Sequence, residues 1–333
     1  MSGKYWNTLC LALGLIMGIG LALLFEYFQT SEVDLDPEQI QDGIIQQNRT
    51  EQDLASWLYN ETRVLCMVLT MPQNHETKAL AVKRTWGRRC NKLIFISSQE
   101  DKELGAINVN VLEKRRHLFR KVRKAVKYVF QNFVEDYDWF LKVEDDTFVI
   151  MENLRLLLYP YDPEAALYFG HRNHFSSRHG NKSLGSSYVM SREALRRLHH
   201  LPRNIYNLDS LNSLSEEEQL GFCMRHAGAV AGDARDEEGL DRFMPMTLPD
   251  KMPKLKDLEF CKPVKEIGSK SGITIHHVKN HNMMDFLLYR LHVFGVPVMP
   301  ISLPPKLDQI QQEKQLILWA LENHTDFNTT LKN

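Results

Sequence analysis

No excess of either charge is present: 41 Lys and Arg face 42 Asp and Glu in 333 residues, a formal net charge of −1. That balance lacks the electrostatic footprint of a chain that binds polyanions, so no nucleic-acid partner is expected. Cysteine is scarce, at five residues, and no two are spaced C-x-x-C, which leaves zinc binding without its usual pattern. Short-period repeats and low-complexity tracts are missing too, so the chain is not a repeat array. What remains is 43% apolar and 25% charged. This is ordinary globular composition, long enough for one large or two modest domains.

Charge is also missing locally, near the start. From Leu9 to Phe25 runs LCLALGLIMGIGLALLF, seventeen residues without a charge or a strongly polar side chain. With Tyr5, Trp6, Tyr27 and Phe28 as interfacial flanks, the segment is long enough to span a bilayer. A cleaved signal peptide would have a shorter apolar core ending at small residues. This run ends in LLFEYFQ, which favours an uncleaved anchor. Lys4 precedes it, and Glu26, Glu32, Asp34, Asp36 and Glu38 follow it. The expected topology is therefore single-pass type II, with a cytosolic N-terminus and a lumenal body. Gly14 and Gly18 have the GxxxG spacing of a helix-dimer seam and leave a homodimer open, although chance explains the pair better.

A lumenal body is expected to carry glycans and disulfides. Asn-x-Ser/Thr sequons stand at Asn48, Asn60, Asn181, Asn323 and Asn328. Setting aside Cys10 in the apolar run leaves Cys66, Cys90, Cys223 and Cys261, an even number with three pairings open. Cys66 and Cys90 flank one strand–helix unit, and pairing them leaves Cys223 for Cys261. Residues 29–60 are rich in Gln, Glu, Asp and Asn and read as a stem. The expected organisation is a cytosolic tail (1–8), an anchor (9–28), the stem (29–60), a catalytic domain (61–305) and a C-terminal helix with a polar tail (306–333).

Within the body, RVLCMVLTM, KLIFIS (92–97), INVNVLE (107–113) and DWFLKV (138–143) read as strands. His75–Arg89 reads as amphipathic. In 118–133, Leu118, Phe119, Val122, Val126, Val129, Phe130 and Phe133 keep helical spacing, with Arg120, Lys121, Arg123, Lys124 and Lys127 on the opposite, solvated face. Strand–helix–strand alternation implies an α/β domain with a mostly parallel, doubly wound sheet. Ligands of such a sheet bind beyond the carboxyl ends of its strands.

At one of those ends lies FLKVEDDTFVI (140–150), three acids between two apolar runs. A solvated turn is one reading. The flanking apolar residues favour another, in which a cation offsets the mutual repulsion of the carboxylates. Glu144 and Asp146, two apart on an extended chain, point the same way, with Asp145 opposed. Such oxygen ligands suit Mn²⁺ or Mg²⁺ alongside the oxygens of a phosphate group.

RVLCMVLTMPQNHETKALAVKRTWGRRCNKLIFIS, DWFLKVEDDTFVIMENLRLLLYPYDPEAALYFGHR, SYVMSREALRRL and AGDARD together resemble glycosyltransferase family 31, in its core 1 β1,3-galactosyltransferase branch, over roughly residues 60–245. The resemblance implies a GT-A fold, Golgi type II topology, a UDP-sugar donor, an O-linked N-acetylgalactosamine acceptor on glycoproteins and an inverting, Mn²⁺-dependent mechanism. It implies metal ligands at Glu144, Asp146 and His276, the last in TIHHV (274–278) with His277 as a near alternative. Donor contacts are implied at Trp86, Lys142, Glu144, Asp145, Asp233 and Arg235. In SEEEQLGFCM (215–224) it implies Glu217 as the base that takes the acceptor proton, with Glu216 beside it. Ser215 followed by acids is equally a good helix N-terminus, and a lone Trp such as Trp86 is more often core.

Three segments depart from the branch. SLGSSYV (183–189) stands where it has a glycine-rich GGAGYV, GSKSG (268–272) replaces a late cysteine pair, and MPKLKDLEFCKPVKEI (252–267) replaces an aromatic-rich acceptor segment. They leave open a sibling enzyme with another acceptor or donor sugar, or a silent folding partner of the active enzyme. Retention of Glu144, Asp146 and His276 speaks against the silent copy.

Overall fold

The structure is a computed structural model, and it describes residues 54–171, 187–206, 214–244 and 269–278, with Met284 and Lys306. The anchor and most of the stem, Asn48, Asn181, Cys261, Asn323, Asn328, most of SLGSSYV, all of 252–267 and the tail helix lie outside the described residues. Among the described residues no helix is long and apolar enough to cross a membrane. Asn60 is described and lies exposed on a helical segment, 54–61, just before the first strand.

Seven strands form the main sheet: β1 (Val64–Leu69), β2 (Lys92–Ser97), β3 (Ala106–Asn108), β4 (Trp139–Glu144), β6 (Leu167–Gly170), β7 (Tyr188–Ser191) and β8 (Val230–Ala231), in the order β3-β2-β1-β4-β7-β6-β8. β3, β2, β1 and β4 are parallel, as the alternation predicts. β7 runs antiparallel to both β4 and β6, and β8 is parallel to β6, so six of the seven strands share one direction and the sheet is mostly parallel, as expected, with β7 alone reversed. The predicted third strand is shorter than expected, because Asn110 takes φ +54 and leaves the extended region.

β1 is buried along its whole length, the mark of a strand covered on both faces. Val64, Cys66 and Val68 enter one core layer with Trp86, Trp139 and Val143; Leu65, Met67 and Leu69 enter the other. Helix α1 (Leu118–Phe133) closes the second layer with Phe119, Val122, Val126 and Val129. Lys121 departs from the solvated face assigned to it: its ammonium is buried and donates to the Thr70 carbonyl and to Glu113. Helices α2 (Met151–Leu158), α3 (Arg192–His200) and α4 (Glu216–His226) complete the cover.

Cys66 and Cys90 are joined by a disulfide, their Cα atoms 6.1 Å apart. The pairing expected for Cys223 is not made. Cys223 is a free thiol on the inner face of α4, and burial pushes it up to about 12. The stretch His75–Arg89 is not one helix but a wide turn (His75–Ala79), a short helix (Leu80–Arg84) and a tight turn (Trp86–Arg89).

A second, three-stranded sheet, absent from the sequence-based expectation, orders β5 (Phe148–Val149), β10 (Thr274–Ile275) and β9 (Phe243–Met244) as β5-β10-β9. Two-residue strands carry no readable period. Their consequence is large: β10 pairs antiparallel with β5, Ile275 opposite Phe148, which lays TIHHV against the acidic triplet.

Candidate active site

The site starts at the carboxyl end of β4. Leu69 pairs with Glu144, the Asp145 amide donates to the Leu69 carbonyl, and the Thr147 amide to the Glu144 carbonyl. The acids therefore sit on a tight turn between β4 and β5. Across from them the Val278 amide donates to the Asp146 carbonyl at 2.8 Å, which ties the end of TIHHV to the turn.

Asp146 and His276 come together as expected. His276 Nδ1 is 3.4 Å from Asp146 Oδ1 and 3.0 Å from Thr147 Oγ. Burial pulls the His276 imidazole below its ordinary value, against the attraction of Asp146 and Glu144, and so favours the neutral ring that ligates metals. His277 joins them with φ +58, a left-handed conformation uncommon for a side-chain-bearing residue, and its Nδ1 lies 3.9 Å from Asp146 Oδ2. Ligand-capable atoms of Asp146, His276 and His277 all lie within 4.8 Å of one another. Asp146 Oδ1 is buried without a hydrogen-bond donor. An orphaned carboxylate oxygen beside two imidazoles is a donor set that fits a divalent cation of the Mn²⁺ type.

Glu144 does not belong to that group. Its Oε1 is 3.8 Å from the Lys142 ammonium. Asp145 is turned inward, where its Oδ2 accepts from Thr70 Oγ1 at 2.7 Å and from the Asn74 amide at 2.8 Å. Burial raises its carboxyl above the ordinary carboxylate range, and the two hydrogen bonds oppose that shift. Asp145 therefore braces the turn, with Asn74 and Thr70.

Lys142 and Glu216 need reassignment. Lys142 is fully buried, and its Nζ bonds Glu216 Oε2 at 2.8 Å, while the Tyr188 hydroxyl donates to Glu216 Oε1 at 2.8 Å. Burial pulls the ammonium down, but Glu216, Glu144 and Glu217 outweigh it and leave Lys142 raised. Burial also raises the Glu216 carboxyl, against the pull of Lys142, and lifts the Tyr188 phenol well above its ordinary value. Here the lysine is without solvent access, and both glutamate oxygens are engaged. The trio instead fastens α4 to β4.

Ser215 caps α4 by accepting from the Glu218 amide, and the Glu218 carboxylate accepts from the Ser215 amide, a complete capping box. Glu217 stays partly exposed on the first turn. The helix-start reading of SEEEQ therefore holds together with a site reading for Glu217.

Trp86 is fully buried in the first core layer, its indole N–H without a hydrogen-bond partner among the described residues. Asp233 and Arg235 lie on an exposed loop after β8 and pair with each other, Arg235 Nη2 to Asp233 Oδ2 at 2.6 Å. Gly232 lets that loop cross the sheet, since a Cβ there would come 1.9 Å from the Phe169 ring. Neither Asp233 nor Arg235 is drawn into the Asp146 group. Thr70, Asn74, Lys78, Thr147 and Tyr188 were not anticipated. All five lie within the segments that carry the family resemblance, which gave no role to any of them.

The Fringe family model, Fringe-like proteins, matches residues 59–230. The chain is 33% identical over 258 residues to glycoprotein-N-acetylgalactosamine 3-beta-galactosyltransferase 1 of Xenopus laevis, covering 74% of this chain and 71% of that protein. The chain belongs to the Fringe-like family. It is thus a member of glycosyltransferase family 31 and a glycosyltransferase of the galactosyltransferase-like kind. A beta-1,3-glucosyltransferase of Mus musculus is 24% identical over 168 residues, 50% of this chain and 34% of that protein. A solved glycosyltransferase involved in glycosylation of the major capsid of PBCV-1 covers 68% of this chain and 98% of its own at 12% identity and a TM-score of 0.42, a likeness too shallow to carry argument. In this Fringe-like chain the acidic turn closes the central strand of the seven-stranded sheet.

Proposed function

We propose that this chain transfers galactose from UDP-galactose to the 3-hydroxyl of O-linked N-acetylgalactosamine on glycoproteins, with inversion. The acceptor and donor come from the Xenopus relative's name and the resemblance of the motifs. The observation that carries the site is the meeting of Asp146 with His276 and His277 at the end of β4. Asp146, His276 and His277 would hold Mn²⁺, which when bound supplies positive charge that offsets charge on the departing diphosphate. Asp145 keeps the turn in place through Thr70 and Asn74. Glu217 takes the proton of the acceptor hydroxyl as the new bond forms. Glu216, Lys142 and Tyr188 hold the helix that presents it.

The same reading places the catalytic body in the Golgi lumen behind a membrane anchor at residues 9–28. The Cys66–Cys90 disulfide supports an oxidising compartment. Purified protein should be assayed with a panel of UDP-sugars and acceptors, with and without Mn²⁺, beside Asp146→Ala. The expected outcome is Mn²⁺-dependent galactose transfer to N-acetylgalactosamine acceptors, abolished in Asp146→Ala. Transfer of another sugar, or to another acceptor, would assign the chain to a sibling activity. A wild type that neither transfers nor hydrolyses any donor would remove the enzymatic reading of the site.

A further inference from the structure

Lys78 reaches the same acidic end of β4 and has no part in the roles given above. It lies in the wide turn His75–Ala79, directly after the tight turn Pro72–Asn74 that follows β1. Turns with an extra residue inside a helix are rare and often sit at functional sites. Asn74, at the start of this stretch, is bonded to Asp145, which fixes the stretch against β4. Lys78 is thereby carried over the acids. Its ammonium stands 3.7 Å from Asp146 Oδ2 and 4.0 Å from Asp145 Oδ1. Both contacts are longer than a hydrogen bond, so charge draws the lysine there without a directed bond to either carboxylate.

The two lysines at this end differ in what they can do. Lys142 is fully buried and committed to Glu216, whereas the Lys78 side chain is 31% exposed. A flexible four-carbon stem lets such a head move between partners. A divalent cation on Asp146 would meet the ammonium at close range, and two positive charges within a few ångströms repel strongly in a half-buried site. A diphosphate arriving there brings negative charge and offers the ammonium the phosphate contact that lysine makes as a point charge.

We propose that Lys78 couples cation and nucleotide binding. It opposes a cation that reaches Asp146 alone, and it turns to the diphosphate when a UDP-sugar arrives, so that each ligand strengthens the other. This rests on Asp146, His276 and His277 being the cation ligands and on a nucleoside-diphosphate donor.

Binding rather than turnover tests it. Mn²⁺ is titrated into wild type, Lys78→Met and Lys78→Arg, with and without UDP, by calorimetry and by loss of the free Mn²⁺ resonance signal. In wild type, UDP should tighten Mn²⁺ binding by a factor of about 5–150, the usual span of such couplings. Lys78→Met should bind Mn²⁺ alone more tightly than wild type and lose at least about fivefold of the coupling. Lys78→Arg keeps the charge and should keep most of it. Wild-type coupling in Lys78→Met, or an equal weakening of Mn²⁺ binding with and without UDP, would overturn the proposal and leave the cation site standing. A wild type that takes up no Mn²⁺ in either titration fails differently, because it removes the cation site itself and the role of Lys78 with it.

Discussion

Glu216 gives both carboxylate oxygens to Lys142 and Tyr188, while Glu217, one position on, keeps a partly exposed carboxylate on the first turn of α4. The two residues are chemically alike, so the difference between them is wholly environmental, and mutation should separate it. Glu217→Gln keeps the size and removes the basicity. Loss of a general base typically costs about 10²–10⁴-fold in rate, so turnover should fall in that range while the melting temperature barely moves. Glu216→Gln should do the reverse, lowering the melting temperature because buried Lys142 loses its charged partner, with turnover retained in the protein that stays folded. Steady-state rates and thermal melts on both variants decide it. Equal, modest losses of stability with near-normal turnover in both would return the pair to a helix-capping role only. At this scale the sequence was legible where chemistry is rare. The meeting of Asp146 with His276 could be expected, because carboxylate and imidazole at a strand end are a combination suited to a cation. Lys142, Asp145 and Trp86 were expected as donor contacts and prove to be buried, because a motif records position in the chain and says nothing of which way the side chain is turned.

Among the elements, the continuous apolar runs of β1, β2 and β4 and the helical spacing of α1 were readable, since burial on both faces or on one stripe leaves a period in the sequence. The reversal at β7 and the small β5-β10-β9 sheet were not, because strand direction and two-residue pairings are decided by distant partners. The link between β4 and α4 is of that long-range kind. It joins residues 74 apart through a fully buried ion pair. Removing one partner of such a pair strands the other charge and typically costs about 3–5 kcal/mol, whereas removing both is far milder. Lys142→Met should therefore be strongly destabilising, and adding Glu216→Gln should restore much of the loss. Denaturant unfolding of both single variants and the double variant gives the coupling directly. If Lys142→Met instead kept its stability and lost only UDP affinity, the lysine would be a donor contact after all, and the fastening of α4 would rest on Tyr188 alone.

For the whole molecule, the Cys66–Cys90 bridge gives the proposed lumenal location a test. Cys66 is in the middle of β1, the strand flanked by β2 and β4 and buried on both faces, and Cys90 precedes β2, so the bridge closes the first strand–helix–strand unit. Its loop has a sequence separation of 24. In the chain-entropy view, a cross-link of that size removes about 3–4 kcal/mol of disorder from the unfolded chain. For a domain of this order of size each 1 kcal/mol moves the melting temperature by roughly 2–4 °C. The Cys66→Ala, Cys90→Ala double variant should consequently melt roughly 10 °C below the oxidised protein, and so should wild type treated with reductant. Protein made in a reducing cytosol should match the double variant, while protein from a secretory host should match the oxidised form. The free thiol gives an internal control, because Cys223 is buried with its thiolate strongly disfavoured and should resist alkylation until the domain unfolds. Mass spectrometry after alkylation of the native protein should thus find Cys66 and Cys90 unmodified as a disulfide, and Cys223 unmodified as a protected thiol. Alkylation of Cys66 and Cys90 in native secreted protein, or identical melting with and without reductant, would mean that β1 is held by its core contacts alone and that the bridge says nothing about where the enzyme works.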